Sequence, residues 1–421
     1  MTTPVAAAPG ETGVDRAVGA AVFAAFVGWS ASCAFRCDGF LEADEIAHWL
    51  YARGAAERPW NLLHVWARPL CTLALWPFAT FGFDAARWAS TIAAAVAALG
   101  AWRAGAALGR RGAACAVPLC YAQPLFFQQS YLVSTEVVFA AVAAWWAWAV
   151  ASRRPWVSAA LAALAPLARP EGFVLVAVAG LGLLLGVPRD RSGTPRRAAA
   201  FAAPLGILAW NGLGWLFSGD PLWLPHHWPR SWAAASSPWG RGDWGWLRRV
   251  FPDVMPTALS WLCAVGLLRR DARRTWPTWT AAAAVFALHA ALWALGAFGS
   301  AGYARYFTTV APLLALLAAG GVETLLPRRA PGRVAALVVA GVAVASLRAG
   351  AATQVPPEPS DHAALVAVGR ALSAREGAPA LYAAHPSAYV GVASAPADHV
   401  DEMGDFRAER LARIPVGAFV L

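Results

Sequence analysis

The sequence predicts an all-α polytopic membrane protein of about eleven transmembrane helices, with interfacial helices in the first outer loop and a small α/β outer tail. Three observations carry this. The 421 residues are 59% hydrophobic and only 14% charged, with mean hydropathy +0.49, whereas soluble domains hold about 45–50% apolar and about 25% charged residues. Apolar runs near the length of a bilayer crossing, about 20 residues, recur along the chain. All 34 basic residues are arginine, and most stand in short clusters between those runs, a pattern that reports membrane topology rather than a nucleic-acid stripe.

The elements follow in order. Spans are expected at 16–34, 84–107, 112–129, 134–151, 156–168, 172–187, 198–217, 253–268, 277–298, 306–325 and 332–348. The N-terminus lacks a basic region with a nearby small-residue cleavage site, so the first run is expected to stay as an anchor. The segment 65–82 is apolar too. If it crossed, the clusters at Arg110, Arg153, Arg189, Arg269 and Arg328 would all move outside, against the positive-inside rule. It is therefore placed as interfacial or re-entrant, with Trp60, Trp66, Trp76 and Trp88 at the boundary.

On this topology the N-terminus is cytoplasmic and the C-terminus extracytoplasmic. A membrane domain covers 1–348 and a small outer domain 349–421. In the tail, a Pro-rich linker precedes a helix with Ser360 as N-cap, Leu365, Val368 and Leu372 on one face and Gly377 as its stop; strand-like PALYAA and VGAFVL follow. The six cysteines match no metal-ligand spacing and read as apolar filler. No internal repeat of 20–50 residues is present.

The chemistry-bearing stretch is CDGFLEADEIAHW, residues 37–49, whose carboxylates Asp38, Glu42, Asp44 and Glu45 follow the first span on the outer side. LEADEIAHWLY reads as an amphipathic surface helix with Leu41, Ile46, Trp49 and Leu50 toward lipid; Asp44 and His48, four apart, share the other face. An acidic cluster of this kind can also simply solvate a loop. Arginines recur at the outer ends of distant segments: Arg68 in HVWARPL, Arg169 in LARPEG, Arg305 in GYARYF. Each alone can snorkel to headgroups. Together, facing acids, they point to a phosphate site, because guanidinium presents a planar fork matched to phosphate oxygens. A base with phosphate-binding cations at a lipid surface suits glycosyl transfer from a lipid-linked phosphate.

Four pieces in order, ADEIAH, HVWARPL, SYLVSTEVVF, and LARPEG with GYARYF, resemble the C-type (GT-C) membrane glycosyltransferases over roughly residues 16–325. That resemblance implies a polyprenyl-phosphate-linked sugar donor, an extracytoplasmic site in the plasma (inner) membrane, and a lipid, glycan or protein acceptor. It also implies Asp44 as catalytic base with Glu45 as the alternate. Glu136 matches a second functional carboxylate, though it reads equally as a helix-start residue. Arg68 stands where aminoarabinose- and protein-mannosyl-transferase-like relatives carry lysine before proline, so its charge is kept and its geometry changed. Arg169 and Glu171 match an Arg-Pro-Glu-Gly variant of the pattern, or pair structurally with each other. Arg305, followed by Tyr306, is the first choice for the lipid phosphate.

His48 and His64 join the substrate-binding set. With His226 and His227 they raise a divalent metal, but none has dedicated ligand spacing, and no cofactor is expected. His289 and Asn211 read as helix-packing residues, and the Trp/Pro-rich loop 219–252 as an acceptor surface or interfacial anchor. The expected activity is inverting transfer of a mannose-like hexose. The competing classes are a transporter or flippase for a lipid-linked sugar, which would place charges at mid-membrane, and a scaffold acting through its tail.

Overall fold

The computed structural model describes residues 13–37, 43–190, 196–234, 236–326, 332–351, 360–374, 381–382 and 419–420. These residues form an almost wholly helical molecule. Helices α1 (Gly13–Arg36), α2 (Ala43–Arg53), α3 (Pro69–Ala79) and α4 (Phe83–Ala107) lead to α5 (Ala116–Tyr121), α6 (Pro124–Gln129) and α7 (Glu136–Ala151). Next come α8 (Pro155–Ala168), α9 (Gly172–Leu184), α10 (Leu205–Ser218), α11 (Trp223–His226), α12 (Arg230–Ala233) and α13 (Trp246–Val254). The series closes with α14 (Thr257–Leu267), α15 (Arg270–Arg274), α16 (Trp276–Leu295), α17 (Ala311–Leu325), α18 (Gly332–Ala351) and α19 (Ser360–Ser373).

Among the described residues, four stretches are helical, long and apolar enough to cross a membrane: Arg16–Arg36, Arg197–Ser218, Trp276–Leu295 and Ala304–Leu325; a fifth arises if the bent pair α13 and α14 counts as one. The other expected spans hold shorter or broken helices. At 112–129 the backbone is interrupted because Gln123, preceding Pro124, adopts extended angles (φ −84°, ψ 116°), as a residue before proline is forced to. The expected span 253–268 holds the end of α13 and all of α14, which meet at 95° beside Pro256. Helix α3 has 11 residues, about 16 Å of rise, roughly half a hydrocarbon core.

At the centre, α4 lies along α7, α7 along α8 and α8 along α9; α17, buried through most of its length, packs on α4, α5, α7 and α14. The α14–α17 crossing is backbone-close. A Cβ on Gly266 would collide with the carbonyl of Leu317, and one on Gly321 with that of Leu262, the use of small residues by which membrane helices approach each other.

The tail is described only in part. Helix α19 covers Ser360–Ser373; among its described side chains Val366 is buried, Leu365 is half-buried and Val368, expected on the same face as Leu365, is exposed. Leu381 and Tyr382 pair in parallel with Phe419 and Val420. The Pro-rich linker and Gly377 lie outside the described residues, as do Asp38, Leu41 and Glu42 in the first loop. None of the six cysteines forms a disulfide, and all but the half-buried Cys37 are buried.

Candidate active site

The site begins at the start of α2, where Asp44 and Glu45 occupy the first turn, the position a helix dipole favours for negative charge. The apolar face of α2 does not meet lipid as expected. Ile46, Trp49 and Leu50 are buried against Ala79, Phe83 and Ala86 of α3 and α4, and Trp49 Nε1 donates to the Ala79 carbonyl at 3.1 Å. Packing against protein fixes the opposite face of α2 toward a cavity of about 250 Å³.

Asp44, Glu45, His48, Arg68, Glu136, Arg169, Arg305 and Tyr306 all line that cavity. Residues as distant in sequence as Asp44 and Tyr306 thus meet in one hollow. Arg305 Nη2 donates to Asp44 Oδ2 at 2.6 Å, and its Nε stands 3.7 Å from Glu136 Oε1. Arg169 Nη1 reaches Glu136 Oε1 at 2.9 Å, while its Nε donates to Glu171 at 3.1 and 3.2 Å. His289 Nε2 lies 3.1 Å from Glu171 Oε1, and its ring stacks on Tyr306 with centroids 4.6 Å apart. The charges therefore alternate along one chain: Asp44, Arg305, Glu136, Arg169, Glu171.

The turn at the head of α7 binds this chain together. Ser134 Oγ and Thr135 Oγ1 donate to Glu136 Oε2 at 3.0 and 3.2 Å, and Arg68 Nη1 and Arg169 Nη1 each donate to Thr135 Oγ1 at 2.6 Å. Glu45 does a different job from its neighbour: nearly fully buried, it accepts the Val133 N–H at 3.2 Å and so ties α2 to that turn. The Asp44 side chain is 48% exposed and faces the hollow.

Arg68 is the exception among the guanidiniums. It is buried, and among the described residues it is ion-paired with no carboxylate, donating only to Thr135 and to His48 Nε2 at 3.3 Å. Burial, then repulsion from Arg169, lowers its pKa to about 10. As the N-cap of α3 it holds φ +69°, a costly conformation for a non-glycine residue and one that gathers at functional sites. Because arginine only donates, the His48 Nε2 it faces must accept, so the imidazole is neutral with its proton on Nδ1. Burial first, then Arg68, Arg169 and Arg305, hold the His48 pKa well below its ordinary value. Burial works against both members of the Arg169–Glu171 pair, yet their mutual attraction prevails: Arg169 is raised and Glu171 lowered.

Not every expected residue joins. His64 is absent from the lining of the hollow; its Nδ1 accepts the Ala67 N–H at 3.2 Å and its Nε2 lies 3.3 Å from Tyr51 Oη, so it shapes the turn leading into Arg68. His226, exposed at the end of α11, pairs with Asp220 at 2.8 Å, and among the described residues no three His, Cys, Asp or Glu cluster as metal ligands. Trp66 stacks on His48 at 4.4 Å and lines the hollow rather than a lipid boundary. Trp232 and Trp239, from the 219–252 loop, close the hollow with Tyr303, over whose ring the Arg305 guanidinium sits at 4.8 Å. Sequence reading gave no role to Thr135 and Tyr303, which lie inside SYLVSTEVVF and GYARYF, or to Gln129, which immediately precedes the first of them. It took His289 for a packing residue and missed its bond to Glu171.

The architecture is similar to two solved structures of ArnT from Cupriavidus metallidurans. The apo state shares 14% identity, with 90% of this chain and 83% of that chain covered at a TM-score of 0.59. The state bound to undecaprenyl phosphate shares 15% identity over 91% of this chain and 75% of that one, TM-score 0.53. No protein-family model and no curated protein matches the sequence. At such identity the likeness establishes a fold shared with these two structures.

Proposed function

We propose that the protein is an integral-membrane glycosyltransferase that moves a sugar from a polyprenyl-phosphate carrier to an acceptor hydroxyl outside the cytoplasm. The observation that carries this is the convergence of Asp44 with Arg68, Arg169 and Arg305 in one hollow from four separate stretches of chain. The donor follows from charge: Arg68 is a buried cation with no carboxylate of its own among the described residues, and it suits a phosphate that arrives with the lipid. A neighbour of the same fold is solved with undecaprenyl phosphate bound, which supports a polyprenyl phosphate as that lipid.

The chemistry is a single displacement. Asp44 accepts the acceptor's hydroxyl proton as its oxygen bonds to the anomeric carbon. The bond from that carbon to the phosphate oxygen breaks on the opposite face, inverting the centre, and the phosphate leaves with the electron pair. Arg68 and Arg305 stabilise the charge that develops there. Arg169, held on both sides by Glu136 and Glu171, keeps Arg305 and Thr135 in register. Gln129 Nε2 and His48 Nδ1 are buried without hydrogen-bond partners among the described residues. Such groups call for an explanation, and donation to sugar or phosphate oxygens supplies one.

The reading carries further commitments. The sugar is a hexose of the mannose type, and the membrane is the plasma (inner) membrane. Eleven crossings place the N-terminus inside and the hollow outside, the domains divide at 348, and the reaction needs no metal. Asp44→Asn tests the role of the base, using a synthetic polyprenyl-phosphate mannose and lipid extracts as acceptor. Transfer is expected to fall by about 10²–10⁴; turnover equal to wild type rejects the mechanism.

A further inference from the structure

A second cavity, of about 510 Å³, lies across the helix bundle from the catalytic hollow. Three helices fix that relation. Glu136 and Val150 lie near opposite ends of α7, Glu171 and Gly186 flank α9, and His289 and Thr275 lie toward opposite ends of α16; the first of each pair belongs to the site, the second lines this cavity. Separations of 14 to 15 residues put the two about 21 Å apart along the helices. That distance is most of a hydrocarbon core.

Arg153, Arg189 and Arg274 line the cavity, one from each of three separate connections between the longer helices, Arg274 at the end of the short helix α15. Among the described residues none of them is ion-paired. The one carboxylate of the lining, Asp271, is already taken, accepting from Arg110 Nε and Arg269 Nε at 3.0 Å each. The floor is apolar, built by Leu108, Val150, Val187 and Pro188, and Leu181, Leu184 and Leu185 stand exposed on the adjoining end of α9. Setting topology requires only that arginines lie in the loops on one side. It does not require three connections to aim them into a common hollow over an apolar floor.

We infer that this cavity binds the phosphate of an anionic phospholipid from the leaflet opposite the catalytic hollow. The three guanidiniums hold the headgroup while its chains lie over the exposed leucines of α9. The apolar surface continuous with the cationic rim selects a lipid over free phosphate.

The test is native mass spectrometry of the full chain released from nanodiscs of phosphatidylglycerol or of phosphatidylcholine. Wild type is expected to retain one phosphatidylglycerol and no phosphatidylcholine. Arg189→Gln and Arg274→Gln should each weaken retention about fivefold, and Arg197→Gln, an exposed arginine outside the cavity, should not. Arg189→Lys keeps the charge and should retain the lipid, which separates lost binding from lost folding. Equal retention in the cavity and control variants overturns the proposal. So does equal retention of the two lipids, or displacement of phosphatidylglycerol by millimolar inorganic phosphate, which marks a free-anion site.

Discussion

Two neighbouring carboxylates of the site should separate stability from catalysis in opposite directions. Glu136 is buried and serves two guanidiniums, Arg169 at 2.9 Å and Arg305 at 3.7 Å. Neutralising it as Glu136→Gln leaves both cations buried and short of one partner. Breaking a buried pair costs about 3–5 kcal/mol; the lower end applies, since Arg169 keeps Glu171 and Arg305 keeps Asp44. Asp44 is 48% exposed and holds a single cation, so Asp44→Asn should change stability by only about 0–1 kcal/mol. Its transfer rate, however, should fall by about 10²–10⁴. The assay pairs tryptophan-fluorescence melting in detergent with initial rates of sugar transfer. Glu136→Gln should melt several degrees below wild type, and Asp44→Asn within about a degree of it. The reasoning fails if the two variants melt alike, or if Asp44→Asn loses stability in proportion to activity.

Other consequences are independent of that pair. Arg68→Ala should raise KM for the lipid-linked donor more than it lowers kcat for a saturating acceptor, and Arg68→Lys should recover only part of the loss because its single point charge lacks the fork. A purely structural Arg68 would instead lower the melting temperature and leave KM unchanged. His48 is held neutral with a pKa below its unfolded value. Unfolding therefore takes up a proton below about pH 6.5, and stability should fall as pH falls through that range and be flat above it. His48→Gln should flatten that slope in melting curves taken from pH 7.5 to 5. Gly266→Leu, at the crossing of α14 with α17, should abolish folded, monodisperse protein in size-exclusion profiles, whereas Gly28→Leu, where a Cβ meets nothing, should not.

Much of this site was legible in sequence because its chemistry uses residues out of place for their surroundings. Acids directly after an apolar run, and arginines at the ends of segments expected on the outer face, are visible one residue at a time. That is how Asp44, Arg68, Arg169 and Arg305 could be named together, Glu136 being added by the family resemblance. Their partnerships were not legible, because a pair such as Arg305 with Asp44 spans 261 positions and its choice depends on helix packing. The same limit explains the reassignment of roles. Arg305, the first choice for the lipid phosphate, is paired with Asp44, while Arg68 has no carboxylate partner among the described residues. His64 shared its composition with the site but faces Tyr51, because the turn after Asn61 directs it away. The lipid-facing side assigned to α2 failed for a related reason: amphipathicity specifies an apolar face, and α3 and α4 cover it here.

The most direct test is an experimental structure of the protein with a non-transferable polyprenyl-phosphate sugar analogue. The phosphate should sit within hydrogen-bond distance of Arg68 and Arg305, with the anomeric carbon open on its far side to an acceptor oxygen beside Asp44. A phosphate bound outside this hollow, with Asp44 still locked on Arg305, would contradict the account.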